Sequence, residues 1–184
     1  MQIADYAVSS CSFGKSKKFV LWLQGCVNNC ENCISPEWKD LDAGQTIDKE
    51  KIFALIRKSG LKEVVISGGE PLLQYDKLIA LLEQLKKSGY RIILYTGFHL
   101  NKVKKKYNTI LESIDVLIAG PYIESLNNGR GLRGSTNQKV FMLTDFYESE
   151  LDDFKNGLRT MEIKIGHQYI MYIGIPPKSI GGLF

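Results

Sequence analysis

The chain of 184 residues has little histidine (two residues), five prolines and four cysteines. It has no apolar run of the roughly 18 residues that a membrane span requires, so no membrane role is expected. Its opening, "MQIADYAVSS", has neither a basic start nor a long apolar stretch, and no signal peptide is read there. An excess of one charge is also missing. Lys and Arg number 24 against 20 Asp and Glu, interspersed, for a net +4. That balance does not demand a nucleic-acid partner, and direct nucleic-acid binding is not expected. The densest basic run, "NKVKKKY" at 101–107, reads first as a solvated helix face and second as a docking patch for an acidic partner. No internal repeat, low-complexity segment or linker stands out. At 44% hydrophobic content the chain reads as one domain, 1–184, soluble and cytoplasmic.

Short apolar runs alternate with helical patterns. "KFVLWL" (18–23), "EVVIS" (63–67), "RIILY" (91–95) and "DVLIAG" (115–120) read as buried strands. Between them, residues 46–60 place Ile52, Leu55 and Ile56 on one helical face, with Thr46 as the N-cap and Gly60 as the stop. Residues 75–89 place Leu78, Ile79, Leu82 and Leu85 likewise. Val103, Tyr107, Ile110, Leu111 and Ile114 give a third helix. This alternation predicts an α/β fold of βαβ units with a parallel sheet, and helices on one face if the sheet curls toward a barrel. Four loops then share the rim at the strands' C-terminal ends, where α/β proteins bind ligands. They are the cysteine loop, "SGGEP", "TG" and "GPY". "ESLNNGRGLRGSTNQK" reads as an irregular loop, and "TMEIKIGHQYIMYIG" as a C-terminal β-hairpin-like extension. The core spans about 18–143 and the extension about 144–184.

Cytoplasmic proteins rarely form disulfides, so clustered cysteines read as metal ligands or redox groups. Cys26, Cys30 and Cys33 have the spacing C-x3-C-x2-C. A structural zinc site needs a fourth ligand, from Cys11, His99 or His167, and no second C-x-x-C pair exists. Buried packing suits the polar Asn28, Asn29, Glu31 and Asn32 poorly. Redox chemistry fits a lone C-x-x-C better. An iron–sulfur cluster with three protein ligands leaves one iron open to an exogenous ligand. Cys11 reads as a packed thiol, and His99 and His167 as a helix-start and a turn residue.

The cysteine loop after the first of these strands resembles that of the radical S-adenosylmethionine superfamily, and "SGGEP" resembles its Gly-Gly-Glu-Pro motif. Closer still, "LQGC", "SPEW", "GGEPL", "YTG", "DVLIAGPY" and "LRGSTNQ" are similar to the activating proteins of anaerobic ribonucleotide reductase, over about residues 19–140. The resemblance implies a partial (β/α) barrel of radical S-adenosylmethionine type. It implies a 4Fe–4S cluster on Cys26, Cys30 and Cys33, with S-adenosylmethionine on the open iron. Reductive cleavage of the sulfonium would yield a 5′-deoxyadenosyl radical, which takes a hydrogen atom from a backbone glycine of a partner. Gly68 and Gly69 would let backbone carbonyls approach the cofactor's ammonium, and Glu70 would add a charged acceptor. Pro71 would stiffen the turn. Thr96 would bond the ribose or carboxylate, or cap a helix. Asn32 would offer backbone contacts to adenine. Arg133, Asn137 and Gln138 belong to a loop on the substrate side, with ordinary turn chemistry close behind. A low-potential flavodoxin or ferredoxin would supply the electron. Other radical chemistry on a peptide or small molecule, and a non-enzymatic zinc or iron–sulfur module, stay open as alternatives.

Overall fold

The computed structural model describes residues 1–9 and 12–177; Cys11 lies outside the described residues. The four apolar runs form β2 (Lys18–Leu23), β4 (Glu63–Gly68), β5 (Arg91–Thr96) and β6 (Val116–Ala119). They pair in parallel, in that order. Three further strands that periodicity did not disclose complete the sheet: β1 (Gln2–Ser9), β3 (Gln45–Thr46) and β7 (Lys139–Met142). The order is β3-β1-β2-β4-β5-β6-β7, and the flanking strands pair antiparallel. The sheet is therefore mixed and parallel at its centre, with β3 and β7 at its edges rather than paired to each other.

Strand residues alternate between two cores, as a period of two requires. One face carries Leu21, Leu23, Val64, Ile66, Ile92, Leu94 and Leu117. Against it pack α1 (Lys49–Lys58) through Ile52 and Ile56, α2 (Tyr75–Lys87) through Leu78, Leu81, Leu82 and Leu85, and α3 (Leu100–Lys106) through Val103. The crossover helices thus share one face, as expected. The other face carries Val20, Trp22, Val65, Ile93, Val116 and Ile118. It is covered by Phe13, Leu132, Tyr147, Phe154 of α4 (Leu151–Asn156), and Ile173. The expected hairpin is β8 (Glu162–Ile165) with β9 (Ile170–Ile173). Glu162 seats it near the end of β1 by accepting from Ser9 Oγ at 2.7 Å and Ser12 Oγ at 2.6 Å.

Two local expectations are corrected. Thr46 does not cap α1. It lies in β3, paired with Gln2 of β1, and Asp48 takes the N-cap position. The third helix is not continuous either. α3 stops at Lys106, Tyr107 turns out of the helix at φ −139°, and a 3₁₀ turn runs from Asn108 to Glu112. Tyr107 packs on Tyr75 and Phe98, with centroids 5.0 and 6.1 Å away, and Asn108 and Thr109 are weak helix formers. Among the described residues no helix is long and apolar enough to cross a membrane.

Two carboxylates, the buried Asp115 and the partly buried Glu63, hold the end of the sheet opposite the four rim loops. Asp115 Oδ1 accepts from Lys86 Nζ at 2.8 Å and Thr144 Oγ1 at 2.7 Å, and Oδ2 from the Ile92 amide at 2.8 Å. Glu63 Oε2 accepts from Tyr147 OH at 2.6 Å and lies 3.0 Å from the buried Lys18 Nζ. Burial pushes both carboxyls up, but these donors outweigh it and hold both below the usual carboxylate range. A depressed folded pKa stabilises above the unfolded value of about 4 and is lost as pH falls through the folded one. The melting temperature should therefore drop as pH falls below about 4, and an acid-insensitive melt would contradict this. Asp115→Ala should lower the unfolding free energy by about 3 kcal/mol, read from denaturant midpoints, because it strands buried donors.

Candidate functional site

All four rim loops meet at one cavity of about 650 Å³. Its wall includes Cys26, Cys30 and Cys33 after β2, Gly68 and Gly69 at the end of β4, Thr96 and Gly97 at the end of β5, and Tyr122 after β6. The cysteine loop is closed at its base by its own backbone. The Gly25 amide donates to Trp38 O at 2.9 Å and the Cys26 amide to Lys39 O at 3.1 Å. Gln24 Nε2 donates to Glu37 O and Asp40 O. So "LQGC" and "SPEW" are the two ends of one loop, stitched together. The Trp22 and Trp38 rings lie 5.4 Å apart in the same wall.

The Gly-Gly-Glu segment continues the β2–β4 ladder onto that loop. The Gly69 amide donates to Leu23 O and the Glu70 amide to Gly25 O, both at 2.8 Å. A Cβ at Gly68 would overlap the Leu23 backbone, and one at Gly69 would come within 2.8 Å of Trp38 O. Gly68 also has φ +116°, a region only glycine enters freely. The close approach that both glycines allow here is therefore to the cysteine loop itself.

Glu70 is fully buried and stands behind the cavity wall rather than in it. Its Oε1 accepts from the Leu72 amide at 3.1 Å and Thr96 Oγ1 at 2.7 Å. Its Oε2 accepts from Asn28 Nδ2 at 2.9 Å and the Gly97 amide at 2.8 Å. Burial outweighs the four donors and holds this carboxyl above the usual carboxylate range. The sequence suggested an acceptor for a ligand. The side chain instead ties the cysteine loop and the loop after β5 to its own turn. The carboxyl group itself lies against the Gly97 turn of the rim.

The three thiols are half-buried and free of disulfides. Burial raises the Cys26 thiol, opposed by the Asn28 amide, which donates to Cys26 Sγ at 3.3 Å. Cys30 and Cys33 lie within electrostatic reach of Cys26. His99 starts α3, His167 sits in the hairpin turn, and neither lines the cavity. Among the described residues no three His, Cys, Asp or Glu side chains are grouped as ligands of a single metal ion are. A cubane of four irons spreads its thiolates more widely than one zinc ion does. Three free thiols on one cavity wall, which no other Cys and no His among the described residues lines, fit a cluster with one open iron.

The remaining sequence candidates are placed as follows. Thr96 is buried, donates to Glu70, and its oxygen accepts from the Phe98 amide at 3.1 Å. Asn32 is exposed at φ +50°, donates to Glu124, and does not line the cavity. Gln138 lines it, with Oε1 accepting from the Gly134 amide at 2.7 Å and Nε2 donating to Gly120 O at 2.9 Å. Arg133 donates to Thr136 O and Gln138 O, and Asn137 to Pro121 O; neither lines the cavity. Sequence reasoning missed Asn28, Tyr95 and the hairpin residues Tyr169, Met171 and Tyr172, which also form the wall. Only the position of Asn28 inside the cysteine loop could have signalled it.

Comparison with known proteins follows the same lines. The 4Fe-4S single cluster domain family matches residues 13–141. The chain belongs to that family. It is also similar to anaerobic ribonucleoside-triphosphate reductase-activating proteins. That of Salmonella typhimurium is 28% identical over 140 residues, covering 71% of this chain and 91% of the relative. That of Haemophilus influenzae is 27% identical over 150 residues (76% and 97%), and that of Enterobacteria phage T4 29% over 144 (73% and 91%). Among solved structures, QueE from Escherichia coli overlaps 52% of each chain at 23% identity and a TM-score of 0.45, too slight to carry an argument. The resemblance read from the motifs is thus borne out, and with it the expected 4Fe–4S cluster.

Glu70→Gln turns one acceptor oxygen into a donor that faces two donors. It should cost about 1–3 kcal/mol of stability, seen as a lower denaturation midpoint. It should also lower iron and sulfide per chain after anaerobic reconstitution, because Asn28 loses its anchor. Full iron loading at unchanged stability would contradict the role assigned to Glu70.

Proposed function

We propose that the chain is a radical S-adenosylmethionine activase that takes a hydrogen atom from a glycine of a partner enzyme, a reading supported by its similarity to proteins named as activators of anaerobic ribonucleoside-triphosphate reductase. The observation that carries this reading is convergence: three free thiols, the Gly-Gly turn and the Thr96–Gly97 turn meet at one cavity on one rim. The parallel centre of the sheet, with its helices on one face, supports a partial (β/α) barrel as one domain. When bound, the cluster and S-adenosylmethionine supply a 5′-deoxyadenosyl radical by reductive cleavage of the sulfonium carbon–sulfur bond.

The chain's own part is to hold, orient and shield. Cys26, Cys30 and Cys33 would hold the cluster, and among the described residues no further Cys or His lines the cavity. The buried Glu70 would hold in place the turns that meet the cofactor, through its bonds to Asn28, Thr96 and Gly97. The rigid turns at Gly69 and Gly97 would orient the cofactor. Trp22, Trp38 and Tyr95 would keep water from the reacting centre. Tyr95 is suited to this, because burial pushes its phenol far up and it stays a neutral donor, to Leu132 O at 2.7 Å. Arg133, Asn137 and Gln138 shape the loop on the substrate side. A low-potential flavodoxin or ferredoxin would deliver the electron, in the cytoplasm.

Anaerobic reconstitution should give a brown protein that forms 5′-deoxyadenosine when reduced in the presence of S-adenosylmethionine. An electron paramagnetic resonance doublet should then develop on a glycyl-radical protein encoded beside this chain. Cys30→Ala should lose the cluster and bring 5′-deoxyadenosine down to background. Stoichiometric zinc without any 5′-deoxyadenosine would overturn the reading. Loss of deuterium from a small molecule, with no doublet on a protein, would move the substrate elsewhere.

A further inference from the structure

Arg159 is buried just before the hairpin, where no motif marks it. Its guanidinium meets six neutral acceptors. Nε donates to Gly131 O at 3.0 Å. Nη1 donates to Asn127 Oδ1 at 2.9 Å and Pro176 O at 3.1 Å. Nη2 donates to Arg130 O at 3.1 Å, Arg133 O at 2.5 Å and Gly134 O at 3.2 Å. A planar fork with five N–H groups is the side chain that can serve so many carbonyls in one plane. No carboxylate is among these partners. A cation buried against carbonyls alone is an organiser of backbone.

What it organises is a part of the cavity wall contributed by segments outside the cysteine loop. Gly134 and Gln138 line that wall on one side, and Gly174, Ile175 and Pro176 line it on another. Arg159 joins the two segments from behind and does not itself line the cavity. The loop it grips is docked elsewhere on the same extension. The Gly131 amide donates to Gly157 O at 2.8 Å and the Leu132 amide to Phe154 O at 2.9 Å. A Cβ at Gly131 would come within 2.6 Å of Phe154 O. Loop 130–134 falls inside the family match and Arg159 beyond it.

We infer that Arg159 is a positioning residue: it locks the 130–134 loop and the 174–176 segment into one wall that fixes the hydrogen-donating segment of the substrate against the cofactor. The role for substrate rests on the proposed function; the wall itself does not. Loss of the fork should loosen the substrate side and leave the cofactor side in place.

The test compares Arg159→Lys, Arg159→Met and Asn127→Ala as reconstituted proteins. In Arg159→Lys and Arg159→Met, the amides of 130–135, Gly174 and Ile175 should exchange with deuterium at least tenfold faster, while those of 68–70, Leu72 and 96–98 keep wild-type rates. Titration with S-adenosylmethionine, read from the cluster's paramagnetic signal, should shift less than twofold. The 5′-deoxyadenosine released per glycyl radical formed on the partner should rise several-fold. Asn127→Ala removes one acceptor and should show the same pattern more weakly, so it decides the matter if Arg159→Met does not fold. Unchanged exchange at 130–135, or weakening of cofactor binding in step with the loss of coupling, overturns the inference. If wild-type protein makes no radical on any partner, the proposed function fails and the exchange comparison still judges Arg159.

Discussion

The rim depends on one buried carboxylate. Four donors from three chain segments end on Glu70, two on each oxygen. A carboxylate has about four lone-pair directions, so its accepting capacity is filled from within. Any one of these bonds is worth only about 1 kcal/mol net, but leaving a buried charge short of donors costs several times more. The cysteine loop has few apolar contacts of its own to hold it. It is kept in place by the Glu70–Asn28 bond, by its stitched base, and by the ladder that runs on from β2 and β4 through Gly69 and Glu70.

Around that point the two faces of the sheet do different work. The helical face is a closed aliphatic core, with four buried leucines on α2 alone. The other face is filled below by Tyr147, Phe154 and Leu132, and open above as the cavity. Ion-paired carboxylates, Asp115 and Glu63, hold the far end, so stability and chemistry occupy opposite ends of the same strands. The C-terminal extension belongs to the open side. Its hairpin supplies Tyr169, Met171 and Tyr172 to the wall, and Arg159 fastens it to the loop after β6.

The parallel strands were legible because each is an unbroken apolar run buried on both faces, as in "KFVLWL" and "RIILY". β1 was not, because Asp5, Tyr6 and Val8 face outward on a strand whose other residues are half-buried or buried. β7 has only four residues beside a glycine-rich loop. The third helix misled because Val103, Ile110 and Ile114 are all buried although the backbone between them turns out of the α-helix. At the site, the cysteines and the Gly-Gly turn could be read from spacing and order. The partners Asn28, Thr96 and Gly97 of Glu70 could not, since they reach it only through the βαβ crossovers, whereas Leu72 lies two residues away in the same turn. Arg159 left no trace in the sequence: five of its six acceptors are backbone carbonyls, which every residue carries.

The central claim is that the three-thiol loop leaves one coordination position for S-adenosylmethionine. Electron–nuclear double resonance on the reduced, reconstituted protein tests it directly, with S-adenosylmethionine carrying ¹⁵N in its amino group. A ¹⁵N hyperfine coupling of a directly bound nitrogen is the predicted result. An intact cluster in saturating S-adenosylmethionine without that coupling would contradict the account.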